Sequence, residues 1–130
     1  MDFDKKTKAI SLFAKTFDCT FKKLDPNDID YKLFNKDGEL IRYVDITVRN
    51  RVLRDAFPLP IPIRRISKLV DKRLTGVLIW ACDDGIMYAR IDHLYGTIKM
   101  GGMAEKANPH YDVEMMAYFD KQDAVKYIRY

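Results

Sequence analysis

A chain of 130 residues that is 48% hydrophobic and 12% aromatic has the material for a single domain, residues 1–130, with a proper core. No apolar run is long enough to cross a bilayer, and the opening "MDFDKKTKAI" lacks the basic-then-apolar order of a signal peptide, so a soluble cytoplasmic protein without a membrane partner is expected. The formal net charge of +4 hints at a polyanionic partner, and Cys19 and Cys82, with neither CxxC spacing nor clustered histidines, exclude a zinc site and a disulfide scaffold and read as buried free thiols.

In chain order, Ile10, Phe13, Ala14 and Phe17 form one apolar stripe and predict a helix over residues 4–17, capped by Asp2 or Asp4. "CTFKKL" has strand composition, "DPND" is a turn, and "IDYKLF" alternates as a second strand. Asp37-Gly38 marks a hairpin, after which a third strand runs from about Glu39 to Arg49. Pro58, Pro60 and Pro62 keep the following loop extended, and Pro62 suits the first turn of a helix over Ile63–Leu74. On that helix Ile63, Ile66, Val70 and Leu74 form one side, while Arg64, Arg65, Lys68 and Lys72 form the opposite, outer side. Gly76 ends it. "VLIWAC" reads as a fully buried strand, paired through "DDG" with "IMYARID". "HLYGTIKMGGMAEKANPHY" reads as a long loop with a short helix and is no phosphate-binding loop, since it lacks the G-K-[ST] ending. "VEMMAYF" is a last strand, and Asp120 caps a short C-terminal helix containing Ala124, Val125 and Ile128. The expected order is α-β-β-β-α-β-β plus a C-terminal β-α, an α/β (α+β) fold.

Chemistry concentrates in "RYVDITVRN", residues 42–50, where alternation sends Val44, Ile46 and Val48 to one face and Asp45, Thr47 and Arg49 to the other. Three polar groups on a strand face need water, a partner or a ligand. An ion pair between Asp45 and Arg49 on an exposed strand is the plain reading. Asp30, at the start of the preceding strand, can approach Asp45 across the hairpin; two carboxylates that close repel unless a cation lies between them, and such hard oxygens suit Mg²⁺. From Arg49 to Arg73 eight basic residues stand against two acidic ones, a basic segment that is either a solvated helix face or a phosphate contact. Tyr31, Tyr43, Trp80 and Tyr88 read as core or sheet-surface residues, and His93 and His110 as surface residues.

"IDYKLFNKDGELIRYVDITVRNR", the proline-rich loop, the basic helix, "LTGVLIWACDDGIMYARID" and "YDVEMMAYFDKQDAVKYI" together resemble the PD-(D/E)XK restriction-endonuclease-like superfamily, in particular its small phage and prophage members, over roughly residues 5–128. The resemblance implies a mixed central sheet with flanking helices. It also implies Mg²⁺ or Mn²⁺ held by Asp30, Asp45 and the Ile46 carbonyl, and hydrolysis of DNA phosphodiesters; cutting both strands needs two sites, which a homodimer would supply. Thr47 stands where the motif lysine is expected, and a threonine hydroxyl brings no charge to a scissile phosphate. Lys32, Arg49, Arg64, Arg65 and Lys68 are the available substitutes, and Arg49, Arg51, Arg64, Arg65, Lys68 and Lys72 the implied DNA contacts. The departure at Thr47 equally suits a catalytically inactive nuclease-fold protein serving as a nucleic-acid-binding or protein-interaction module, or an interaction domain with no nucleic-acid role.

Overall fold

The structure, a computed structural model, describes residues 2–102 and 113–130. Helix α1 (Asp2–Phe17) is followed by strands β1 (Thr20–Lys23), β2 (Tyr31–Phe34) and β3 (Leu40–Val48). Strand β4 (Leu59–Pro62) leads directly into helix α2 (Ile63–Val70), then come β5 (Gly76–Ala81) and β6 (Gly85–Arg90). Strands β7 (Thr97–Gly102), β8 (Val113–Phe119) and β9 (Lys126–Arg129) complete the order. Six strands form one mixed sheet, ordered β1-β2-β3-β5-β6-β9, and three form a second, ordered β4-β8-β7. The protein is therefore of mixed α+β class. No described helix is long and apolar enough to cross a membrane.

Both faces of the large sheet are covered, because alternate residues of its central strands feed two separate cores. On one face Ala9, Ile10 and Phe13 of α1 pack on Val44, Ile46, Val77, Ile79 and Ile86. On the other, Leu69 of α2 and Leu59, Ile61, Ala117 and Phe119 of the small sheet pack on Leu78, Trp80 and Met87. β2 and β3 are antiparallel and β3 and β5 parallel, so the connection from β3 to β5 must cross over, and it carries β4 and α2 onto the second face. The turn at Asp37-Gly38 forms as expected: Gly38 has φ 80, and Asn35 Oδ1 accepts the Asp37 and Glu39 amides, both at 2.9 Å.

Three expectations are corrected. The proline-rich loop contains strand β4, which pairs with β8; as the edge of the small sheet it tolerates prolines, and its Pro60 carbonyl accepts the Trp80 indole N–H at 2.8 Å. The segment expected to loop after His93 contains β7, whose Thr97-Ile98-Lys99-Met100 alternation is a period of two hidden by flanking glycines. The C-terminal helix is instead strand β9, because Lys126–Arg129 finds the open edge of β6, and ladder bonds outweigh a thin helical pattern. The short helix anticipated between His93 and Tyr111, His110 and the Asp2 cap lie wholly or partly outside the described residues.

Helix α2 is also shorter and turned relative to expectation. It ends at Val70, and Arg73 takes the left-handed conformation at φ 64 that reverses the chain toward β5. Gly76 therefore does not end the helix; it begins β5, where a Cβ would collide with the Leu69 side chain. Leu69 is the fully buried residue and Ile63 and Ile66 pack beside it, whereas Val70 is 60% exposed. Arg65, one turn before Leu69, thus lies on the inward side, not on an outer basic face.

Candidate functional site

The site begins with a mismatch in strand length. The β2 ladder reaches only as far as the pair Tyr31 and Val44, while β3 continues beside β5 to Val48. Past Val44, β3 has no β-ladder neighbour on its β2 side among the described residues, and its amides there need other acceptors. Asp30 lies at that point, held by the hydrogen bond from the Leu24 amide to its carbonyl at 3.0 Å. Its Oδ2 accepts the Ile46 N–H at 2.7 Å, replacing the missing ladder bond. Ile46 thus meets Asp30 through its amide proton.

Asp45 projects toward α2, on the face opposite Val44 and Ile46. It is fully buried, and Arg65 reaches it from α2. The Arg65 Nε donates to Asp45 Oδ2 at 2.7 Å, its Nη2 donates to Asp45 Oδ1, and the same Nη2 donates to Asp30 Oδ2 at 3.1 Å. This is the two-pronged geometry that suits guanidinium and carboxylate. Lys6 arrives from α1 on the other face, its Nζ 3.2 Å from Asp30 Oδ1 and 3.4 Å from Oδ2. Two carboxylates and two cations therefore interlock around the end of β2, with no net charge. Asp30, Arg65 and Lys6 retain side-chain exposures of 14%, 23% and 25%, so the cluster opens to solvent on their side while Asp45 forms its floor.

Burial pushes the Asp45 carboxyl up to about 6, against the lowering pull of Arg65 and with the help of the Asp30 charge. Arg65 is held above its ordinary value, chiefly by its bonds to Asp45.

By type, the carboxylates of Asp30 and Asp45 are ligands for a hard divalent cation. As arranged, they do not fit one. Both Asp45 oxygens face Arg65, and Asp30 Oδ2 is shared by the Arg65 guanidinium and the Ile46 amide. Asp30 Oδ1 accepts from Lys6. Among the described residues no group of three or more His, Cys, Asp or Glu converges as a metal site.

The remaining sequence candidates scatter. Thr47 shares the Asp45 face but lies opposite Trp80 in the ladder, further along β3. Arg49 does not pair with Asp45; its Nε donates to the Ala56 carbonyl at 2.9 Å and its Nη2 to the Pro58 carbonyl at 3.3 Å, holding the connection into β4. Lys32 lies opposite Lys22 and Tyr43, and no ion pair to either aspartate forms among the described residues. Arg64 pairs with Glu114 at 3.1 Å, Lys68 Nζ donates to the Asn27 carbonyl at 2.5 Å, and Lys72 pairs with Asp28 at 2.6 Å. That last bond holds the Asp28 carboxyl below its ordinary value. Arg51 is exposed beyond the end of β3.

Cys82 is buried, which pushes its thiol up to about 11, and Cys19 is partly buried; both are free. His93 is exposed, 3.9 Å from Asp92.

Lys6 escaped the sequence reading. It lies one turn before Ile10, on the buried stripe of α1, and a cation at such a position calls for an acidic partner. No family model, curated protein or solved structure matches the chain.

Proposed function

We propose that the chain is a restriction-endonuclease-like protein that binds the phosphodiester backbone of double-stranded DNA. The observation that carries this reading is the meeting of an aspartate ahead of one strand, Asp30, an aspartate on the next, Asp45, and a cation from the following helix, Arg65. An acid opening one strand, an acid on the next strand of the hairpin and a Lys or Arg from the following helix is the order that the resemblance to that superfamily implies. Support also comes from the large sheet, where β1, β2, β3, β5 and β6 lie side by side in sequence order with α1 and α2 on opposite faces. Arg51, exposed beyond β3, and Arg54, whose exposed side chain has only a 4.0 Å pair with Asp55, are better able to meet phosphates than Arg64, Lys68 and Lys72, which are held by closer partners within the protein.

A second reading, a nuclease-fold module that binds without hydrolysis, is favoured by two features. Thr47 replaces the motif lysine, and Arg65 bonds both oxygens of Asp45.

Incubating supercoiled and linear DNA with Mg²⁺ or Mn²⁺, beside the Asp45→Ala variant, separates the readings. Cleavage lost in the variant supports the enzyme. Salt-sensitive binding without cleavage supports the module, and the absence of salt-sensitive binding to any duplex would remove DNA from the function altogether.

A further inference from the structure

We propose that Arg65 is the resident cation of the acidic pair: its guanidinium holds the place a divalent ion would take, the native chain binds no divalent ion there, and removing Arg65 uncovers a site for one. The inference rests on the reading of Asp30 and Asp45 given above as a metal-type pair. Between them the two carboxylates present four oxygens, and every one already faces a cationic donor. Arg65 takes three and Lys6 the fourth.

Charge and geometry give the same answer. With Arg65 and Lys6 present the cluster is neutral, so a divalent ion would add two uncompensated charges beside a buried carboxylate and a guanidinium that cannot lose its proton. Mg²⁺ further demands near-octahedral oxygens and sheds its waters reluctantly, whereas the Asp45 oxygens, at the floor of the cluster, face Arg65. Without Arg65 the buried Asp45 carboxyl loses its cationic partner, a divalent ion can supply the charge that keeps it ionised, both its oxygens are freed, and the side chain between Asp45 and the open side of the cluster is gone. The ammonium of Lys6 remains on Asp30, which is compatible with a cation bridging from Asp45.

The test is Mn²⁺ binding without DNA, followed by electron paramagnetic resonance and by the change in Tm on adding Mn²⁺. It compares wild type, Asp45→Asn, Arg65→Ala, Arg65→Gln, Arg65→Lys and the double variant Arg65→Ala/Asp45→Asn. Wild type is expected to take up no Mn²⁺ saturably and to keep its Tm. Arg65→Ala and Arg65→Gln should bind one ion saturably and at least about 100-fold more tightly than the weak surface association of wild type, the scale set by removing one nearby like charge from a partly buried site. Their Tm should rise with Mn²⁺, and the double variant should lose both effects. Arg65→Lys keeps a charge for the fold while bonding fewer oxygens, and an affinity between those of wild type and Arg65→Ala is expected of it; should the neutral variants not fold, its gain over wild type decides alone. A wild-type Mn²⁺ site abolished by Asp45→Asn would overturn the proposal, as would folded Arg65 variants that bind no better than wild type. Because DNA is absent, failed DNA binding would sink the functional reading and leave this result standing.

Discussion

Asp45 is a charge set at the floor of a cluster, and its cost is open to measurement. Its carboxyl is pushed from an ordinary 3.8 to about 6, so the folded chain holds that proton more tightly than the unfolded chain does. Its contribution is therefore most favourable in acid and declines as pH rises from about 4 to about 6, by on the order of 3 kcal/mol. Urea denaturation of wild type and Asp45→Asn at both ends of that range should show the variant gaining stability over wild type toward neutral pH; a gain in the opposite direction would refute the assignment. Arg49 provides the contrast. Its two carbonyl bonds make it structural, so Arg49→Ala should cost about 1–2 kcal/mol in the same measurement and leave the Asp45-linked pH dependence unchanged. The alternation that puts Asp45 and Arg49 on one strand face was legible in the sequence. Their separation was not, because their partners, Arg65 and the Ala56 and Pro58 carbonyls, come from the crossover, whose path no local pattern specifies.

Among the elements, α2 fixes the site, since the rotation that buries Leu69 also brings Arg65 inward. That rotation depends on Gly76, whose missing side chain leaves room for Leu69. Gly76→Ala should therefore destabilise the fold by about 1–3 kcal/mol through overpacking. Combining it with Leu69→Ala should be markedly less than additive, as a double-mutant cycle in urea would read; simple additivity would mean that the two residues do not meet. The helix itself, its start after Pro62 and its neighbours β3 and β5 could be read from periodicity and turn residues. Its end and its facing could not. Ile63, Ile66, Leu69 and Val70 offer more apolar residues than one stripe needs, and only the packing against β5 chooses Leu69 over Val70. Strands β4 and β9 escaped for a related reason, since each is an edge strand whose partner lies far along the chain, while β7, which pairs with the next strand, escaped because glycines flank its short alternation.

For the whole molecule, the two cores share the strands between them, with Ile79 packing one way and Leu78 and Trp80 the other. Neither core can loosen without disturbing the sheet, and one cooperative transition is expected, with coincident midpoints by circular dichroism and fluorescence; separated midpoints would mean that the small sheet comes away first. The sequence suggested a single core-bearing domain, yet it gave no sign that one face of the large sheet would be roofed by a second sheet. Trp80 makes that roof visible. It is the only tryptophan in the chain, wholly enclosed, edge-on to Phe119 of β8 at 5.9 Å, with its indole proton given to β4. The native protein thus carries its own optical gauge for the seam between its two sheets. Blue-shifted emission marks the closed seam, and a red shift at constant helix content would register the small sheet lifting away.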